Sequence, residues 1–277
     1  MIGRAVCDHC NSAGDLVLAH NHQTLDVADF NSVMKTLRDE KPDVVINCAA
    51  WTDVDGCELQ PELAYETNAQ GPENLATASR EIDAVLVTIS TDYVFDGRKD
   101  GFYTQRDQPN PESIYAMSKL EGERRAQGAY ARTIVVRTGF VFGPGGTNFL
   151  SMILEWARKG QKLMAIEDAY GTPTYSRDLA VRLRELSELD LPGVYHVVNR
   201  GEGASFADFA RETVEIAGCD GVEVHPISMD SLKRPAARPP NSRLRCLLSE
   251  AIGLPALRDW RSALREYVKQ PVTKAAS

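Results

Sequence analysis

An alternation limits this chain more than any other feature. Short runs dense in Val, Ile and Ala, such as "DVVINCAA" (43–50), "AVLVTIST" (84–91) and "TIVVRTGFVFG" (133–143), alternate with longer segments whose apolar residues recur at helical spacing. A strand with no polar face is buried on both sides, as it is in a parallel sheet covered by helices. The strand, helix, strand order therefore predicts an α/β fold with a doubly wound, mainly parallel sheet. Ligands of such a sheet bind beyond the carboxyl ends of its strands, so residues just after each strand are the ones to inspect.

The expected elements run as follows. "MIGRAVCDHC" opens the chain as a helix, "DLVLAH" (15–20) is a short strand, and residues 27–42 form an amphipathic helix stopped by Pro42. Helices over 61–81 and 111–128 separate the three strands named above. Beyond Gly143 the rhythm loosens into a helix over 149–160, a strand over 161–166, a helix over 176–189, a strand over 193–199 and a helix over 205–218. A basic, Pro-rich stretch follows. The division expected is a larger lobe over 1–145, with 174–199 returning to it, and a smaller lobe over 146–173 and 200–277.

Charge and apolar content exclude several classes. A net charge of −8, from 31 basic and 39 acidic residues, argues against nucleic acid, which needs clustered surplus Lys and Arg. No apolar run approaches the roughly 20 residues needed to cross a bilayer, and no apolar signal core opens the chain, so a cytoplasmic protein with no membrane partner is expected. Six scattered cysteines suit a reducing compartment. The single CxxC, Cys7 to Cys10, has neither the second pair of a zinc site nor the strand that precedes a redox motif.

Chemistry gathers around "STDYVFDG" and "YAMSK". Tyr115 and Lys119, four apart on an expected helix, share one face. A tyrosine titrates near 10, so acid or base work near neutrality calls for a shift of up to about 3 units, or roughly 4 kcal/mol, and a neighbouring ammonium supplies such a field. The Thr91 hydroxyl, at the end of the preceding strand, would join Tyr115 on a substrate carbonyl.

These and other pieces resemble the dTDP-4-dehydrorhamnose reductase group of the extended short-chain dehydrogenases. The matching stretches are "LDVAD", "KPDVVINCAAWTDVDGCE", "AYETNAQGPENLA", "STDYVFDG", "YAMSKLEGE", "TNFLSMIL", "YGTPTYSRDLA", "GVYHVVNRGEGASFADFA" and "RPPNSRLR", in order from about residue 25 to 245. The resemblance implies a Rossmann-like NAD(P)-binding domain in the larger lobe, a substrate-binding smaller lobe, and reduction of a 4-keto sugar nucleotide by a reduced nicotinamide. It implies Thr91, Tyr115 and Lys119 as the catalytic set, with Lys119 also on the nicotinamide ribose. Asp26 and Val27 would lie beside the adenine, with Ala49, Ala50 and Thr52 on the pyrophosphate and ribose side. Asn68 would support the catalytic helix. The dTDP-sugar would meet Asp92, Tyr93, Asn148 and Arg238, the last in "LKRPAARPPNSRLR", a basic island read as a diphosphate clamp. Phe140 stands where the group has a tryptophan, which removes an indole N–H donor and loosens the assignment of the sugar.

The resemblance also implies a buried strand and a glycine-rich loop ahead of Met1, with Gly3 as that loop's last glycine. Four or five buried aliphatic side chains at about 1.5 to 3 kcal/mol each come to on the order of 10 kcal/mol, comparable to a domain's stability. The expectation is that the natural product starts further upstream, and that these 277 residues alone fold badly and hold cofactor poorly. "HNHQ" (20–23) carries neither a cation for a 2′-phosphate nor an acid to reject one, so NADPH, favoured by the resemblance, and NADH both stand. Mg²⁺ is left open with no ligands to assign, as is a homodimer. Two rival readings are a non-catalytic protein on the same fold, like the regulatory subunit of methionine adenosyltransferase, and a truncated pseudoenzyme.

Overall fold

A computed structural model describes residues 1–269. The last eight residues of the expected smaller lobe, 270–277, lie outside the described residues. The helices are α1 (Ile2–Ala13), α2 (Phe30–Glu40), α3 (Val54–Leu59), α4 (Pro61–Tyr65), α5 (Gly71–Glu81), α6 (Ile114–Ala129), α7 (Phe149–Arg158), α8 (Ser176–Leu189), α9 (Phe206–Ile216), α10 (Leu247–Ala251) and α11 (Trp260–Lys269). The strands are β1 (Val44–Asn47), β2 (Val85–Thr91), β3 (Thr133–Thr138), β4 (Val141–Phe142), β5 (Leu163–Ile166), β6 (Tyr170–Gly171), β7 (Thr174–Tyr175), β8 (Gly193–His196), β9 (Ala204–Ser205) and β10 (Val224–Ile227).

The central sheet is parallel, in the order β1-β2-β3-β8. Its strands lack polar alternation because both faces are covered. Val85, Val87, Ile134 and Val136 pack with Val6 and Cys10 of α1 and with Leu179, Leu183 and Leu186 of α8. Leu86 faces the other way, onto Val33 and Leu37 of α2, Leu75 of α5, Ala126 of α6 and Tyr130 just beyond α6. The register aligns Ser90 with Arg137 and Thr91 with Thr138, bringing the carboxyl ends of β2 and β3 to one level.

A separate core gathers Phe142, Ile153, Leu154, Phe209, Trp260 and Leu264. It includes β5 paired with β10, and β10 is an element the sequence analysis did not anticipate. The expected long strand over 133–143 breaks at Gly139 and Phe140, after which β4 leaves the central sheet to pair with β7.

The expected strand over 15–20 is absent. Those residues form no ladder, and Leu16 is 89% exposed. A strand is defined by its neighbour, and no other strand lies beside this segment among the described residues. The expected helix over 61–81 is interrupted by a π turn at Glu66–Gln70. That turn directs Asn68 inward, where its side chain accepts from the Trp51 N–H at 2.8 Å and donates to the Trp51 carbonyl and the Ser118 hydroxyl, each at 3.1 Å. Gly122 of α6 lies so close to the Asn68 carbonyl that a Cβ would sit 2.1 Å from its oxygen, so only glycine permits this approach.

One buried ion pair fastens α6 to the strand ends. Glu123 takes two hydrogen bonds from Arg137, at 2.9 and 2.6 Å, and a third from the Ser90 hydroxyl. Glu123 is 4% and Arg137 6% exposed. Removing one partner strands the other charge, so Glu123→Ala is expected to lower stability by about 3 to 5 kcal/mol in urea unfolding at pH 7. Among the described residues no helix is long and apolar enough to cross a membrane.

Candidate active site

A cleft of about 450 Å³ opens at the carboxyl ends of the central strands, bounded by the first turn of α1 and by α7. Tyr115 and Lys119 enter it from α6, whose amino end is capped by the Ser113 hydroxyl at 3.3 Å from the Ala116 N–H. The Lys119 ammonium donates to the Ile89 carbonyl at 2.7 Å. Both side chains are buried, and the Tyr115 ring meets Tyr93 edge-on, with centroids 6.2 Å apart.

The electrostatics differ from the sequence expectation. Burial pushes the Tyr115 phenol well above its ordinary value, while the Thr91 hydroxyl pulls it back and Asp92 and Cys57 push it further up. Lys119 is not among the groups that move it. The lysine itself is lowered to about 8 by burial, opposed by the nearby Glu123 carboxylate and the Cys48 thiol. In the free protein Tyr115 is therefore a firmly protonated phenol.

Thr91 and Asp92 follow β2 into a short turn. The Thr91 hydroxyl donates to Asp92 Oδ1 at 3.1 Å and accepts from the Tyr93 N–H at 3.2 Å. Ser242, from the "RPPNS" stretch, donates to Asp92 Oδ2 at 2.5 Å. Desolvation raises the Asp92 carboxyl to about 6 in spite of these donors. Gly139 packs on it so tightly that a Cβ would lie 2.1 Å from the carboxyl carbon.

The cleft brings together Gly3, Ala49, Ala50, Thr52, Thr91, Asp92, Tyr93, Tyr115 and Lys119 with Phe140 and Asn148. Phe140 holds a left-handed backbone, φ 48°, a strained conformation for a bulky residue, with its ring 4.4 Å from that of Phe206. The Asn148 side chain is already engaged in capping α7, accepting from the Ser151 N–H at 3.0 Å and donating to the Val141 carbonyl at 2.8 Å.

Three expected residues are not in the lining of this cleft. Asp26 accepts from the Ala28 N–H at 2.9 Å, and Val27 packs on Gly71, both away from the cleft wall. Arg238 forms a two-pronged pair with Asp55 at 2.6 and 2.8 Å, and Arg245 pairs with Glu250, so the basic island is partly neutralised within the chain. The sequence analysis missed Ser242, Cys48 and Thr138. The "RPPNS" stretch was the one signal that pointed at the first of these.

A nicotinamide dinucleotide fits the groups present. Met1, Ile2 and Gly3, at the amino end of α1, line the cleft beside the small Ala49 and Ala50, and no side chain caps that helix end, whose free N–H groups suit an anion. Lys119 has one protein acceptor and two further N–H donors to offer. No group of three Cys, His, Asp or Glu side chains among the described residues is placed to hold a metal ion.

The wound sheet and the tyrosine and lysine at its mouth mark a Rossmann-like α/β protein of the reductase and epimerase class. A family model, "RmlD substrate binding domain", matches residues 1–272, and the chain belongs to that family. It is similar to a dTDP-4-dehydrorhamnose reductase of Streptomyces griseus, 37% identical over 272 residues that cover 96% of this chain and 89% of the relative. Among solved structures it resembles a dTDP-4-dehydrorhamnose reductase of Clostridium acetobutylicum, with TM-score 0.91, 37% identity and coverage of 96% and 94%. It also resembles one of Bacillus anthracis in complex with NADP, with TM-score 0.92, 31% identity and the same coverage.

The Asp92 carboxyl yields a testable sign. Its folded value lies above the unfolded one, so the native state holds its proton longer and stability falls as pH rises from about 4 to 6. At pH 7 the charge is carried at a cost, and Asp92→Asn is expected to stabilise the fold by about 1 to 3 kcal/mol in thermal melts. Equal or lower stability of that variant would contradict this reading.

Proposed function

We propose that this chain is an NADPH-dependent reductase that converts the 4-keto group of dTDP-4-dehydro-L-rhamnose to the alcohol of dTDP-L-rhamnose. The observation that carries the proposal is the protonated Tyr115 phenol beside the Thr91 hydroxyl, one turn from the Lys119 ammonium, in a cleft that fits a dinucleotide. The relatives' shared name supplies the substrate, and the NADP complex of the Bacillus anthracis relative favours NADPH.

The cofactor, when bound, supplies a hydride. Thr91 and Tyr115 hold the carbonyl oxygen, and the phenol releases its proton to the alkoxide, a stronger base than phenolate. Burial keeps Tyr115 protonated until that moment, which suits the reductive direction. Lys119 holds the ribose hydroxyls with its spare N–H groups. Residues 1–145 and 174–199 are assigned to the cofactor, and 146–173 with 200–269 to the sugar nucleotide. Within that lobe Arg238 orients its loop through Asp55 rather than gripping the diphosphate.

Oxidation of NADPH that requires the 4-keto sugar nucleotide tests the proposal. Tyr115→Phe is expected to lower turnover by about a hundredfold or more with little change in cofactor affinity. Wild-type turnover absent, or retained in Tyr115→Phe, would contradict it.

A further inference from the structure

Among the described residues five buried side-chain atoms have no hydrogen-bond partner: Ser79 Oγ, Thr138 Oγ1, Ser176 Oγ, His196 Nε2 and Trp260 Nε1. Thr138 alone of these residues lines the cleft. Its side chain is 5% exposed, and leaving a hydroxyl buried without a partner costs about 1 to 3 kcal/mol. Such a group is tolerated where something outside the chain supplies the partner.

The ladder says where that partner would be. Thr138 is paired with Thr91 across β2 and β3, so the two hydroxyl-bearing side chains stand side by side on one face of the sheet. That face is the one on which Ile89 and Val136 also lie, and it is covered further back by α1 and α8. At the strand ends the helices give way to the cleft, next to Tyr115. A threonine hydroxyl both donates and accepts but carries no charge to neutralise a phosphate. Its complement is a neutral polar group.

We infer that Thr138 is a ligand-binding residue of this cleft, its hydroxyl hydrogen-bonded to a neutral amide or hydroxyl at the reacting end of the bound molecules. This rests on the cleft's assignment under the proposed function. Two sources carry that chemistry: the carboxamide of the nicotinamide and a hydroxyl of the sugar.

Thr138→Val removes the hydroxyl and keeps the shape, and Thr138→Ser keeps the hydroxyl. Calorimetric titration of NADPH and, separately, of dTDP-L-rhamnose would be made on the wild type and both variants, with a melt of each unliganded protein. The valine variant is expected to melt at the wild-type temperature or above it, because the hydroxyl has no partner to lose. It is expected to bind one of the two ligands about tenfold more weakly, with serine restoring the affinity. The ligand that weakens identifies the source. Wild-type affinity for both ligands in the valine variant would overturn the inference alone, as would a valine variant that melts lower, which would reveal a partner within the fold. A wild type that binds neither ligand would overturn the cleft's assignment and this inference together.

Discussion

Much of this site depends on a carboxylate that never reaches it. Glu123 lies one turn beyond Lys119 on α6 and is bound by Arg137 from β3 and Ser90 from β2. Tyr115, Lys119 and Glu123 therefore share a helical face, with the last anchored to the two strands whose ends carry Thr91 and Thr138. A helix held only by apolar packing can slide by fractions of an ångström. A two-pronged buried ion pair fixes both distance and rotation. Asn68 and Gly122 add a second anchor at the same helix, through the Ser118 contact and a near-contact of backbones.

Desolvation then sets the chemistry. The same burial acts in opposite directions on acids and bases, raising the Tyr115 phenol and the Asp92 carboxyl and lowering the Lys119 ammonium. Glu123 opposes the last of these shifts, so the clamp that orients Lys119 also helps to keep it charged. Position and protonation are thus coupled through one residue.

The sheet was legible because runs dense in Val and Ile are a local signature of strands covered on both faces, and β1, β2 and β3 fall within such runs, while β8 lies in the mixed apolar run "GVYHVVN". Local composition failed at 15–20, where "DLVLAH" has the residues of a strand but no ladder to join. It failed in the opposite sense at β10, where Pro226 and His225 disguise a strand that exists because β5 lies beside it. Tyr115 and Lys119 were readable from their spacing, and Thr91 from its place after a strand. Glu123 and Arg137 carry no signal in the sequence, since their pairing is made only when helix and strand meet. The ion pair of Arg238 was hidden for the same reason: sequence displays a charge, while its counter-charge, Asp55, lies 183 residues away.

Lys119 concentrates these claims in one titratable group. Titrating reduced cofactor into the protein by fluorescence from pH 7 to 10 tests them most directly. In the role proposed for it, an ammonium lowered to about 8 holds its proton and the ribose below that pH and loses both above it. The expected result is steady affinity up to about pH 8 and a progressive loss beyond it, with Lys119→Met weaker throughout and flat. Affinity in the wild type that holds undiminished to pH 10, or a Lys119→Met variant with the same pH dependence, would contradict the account.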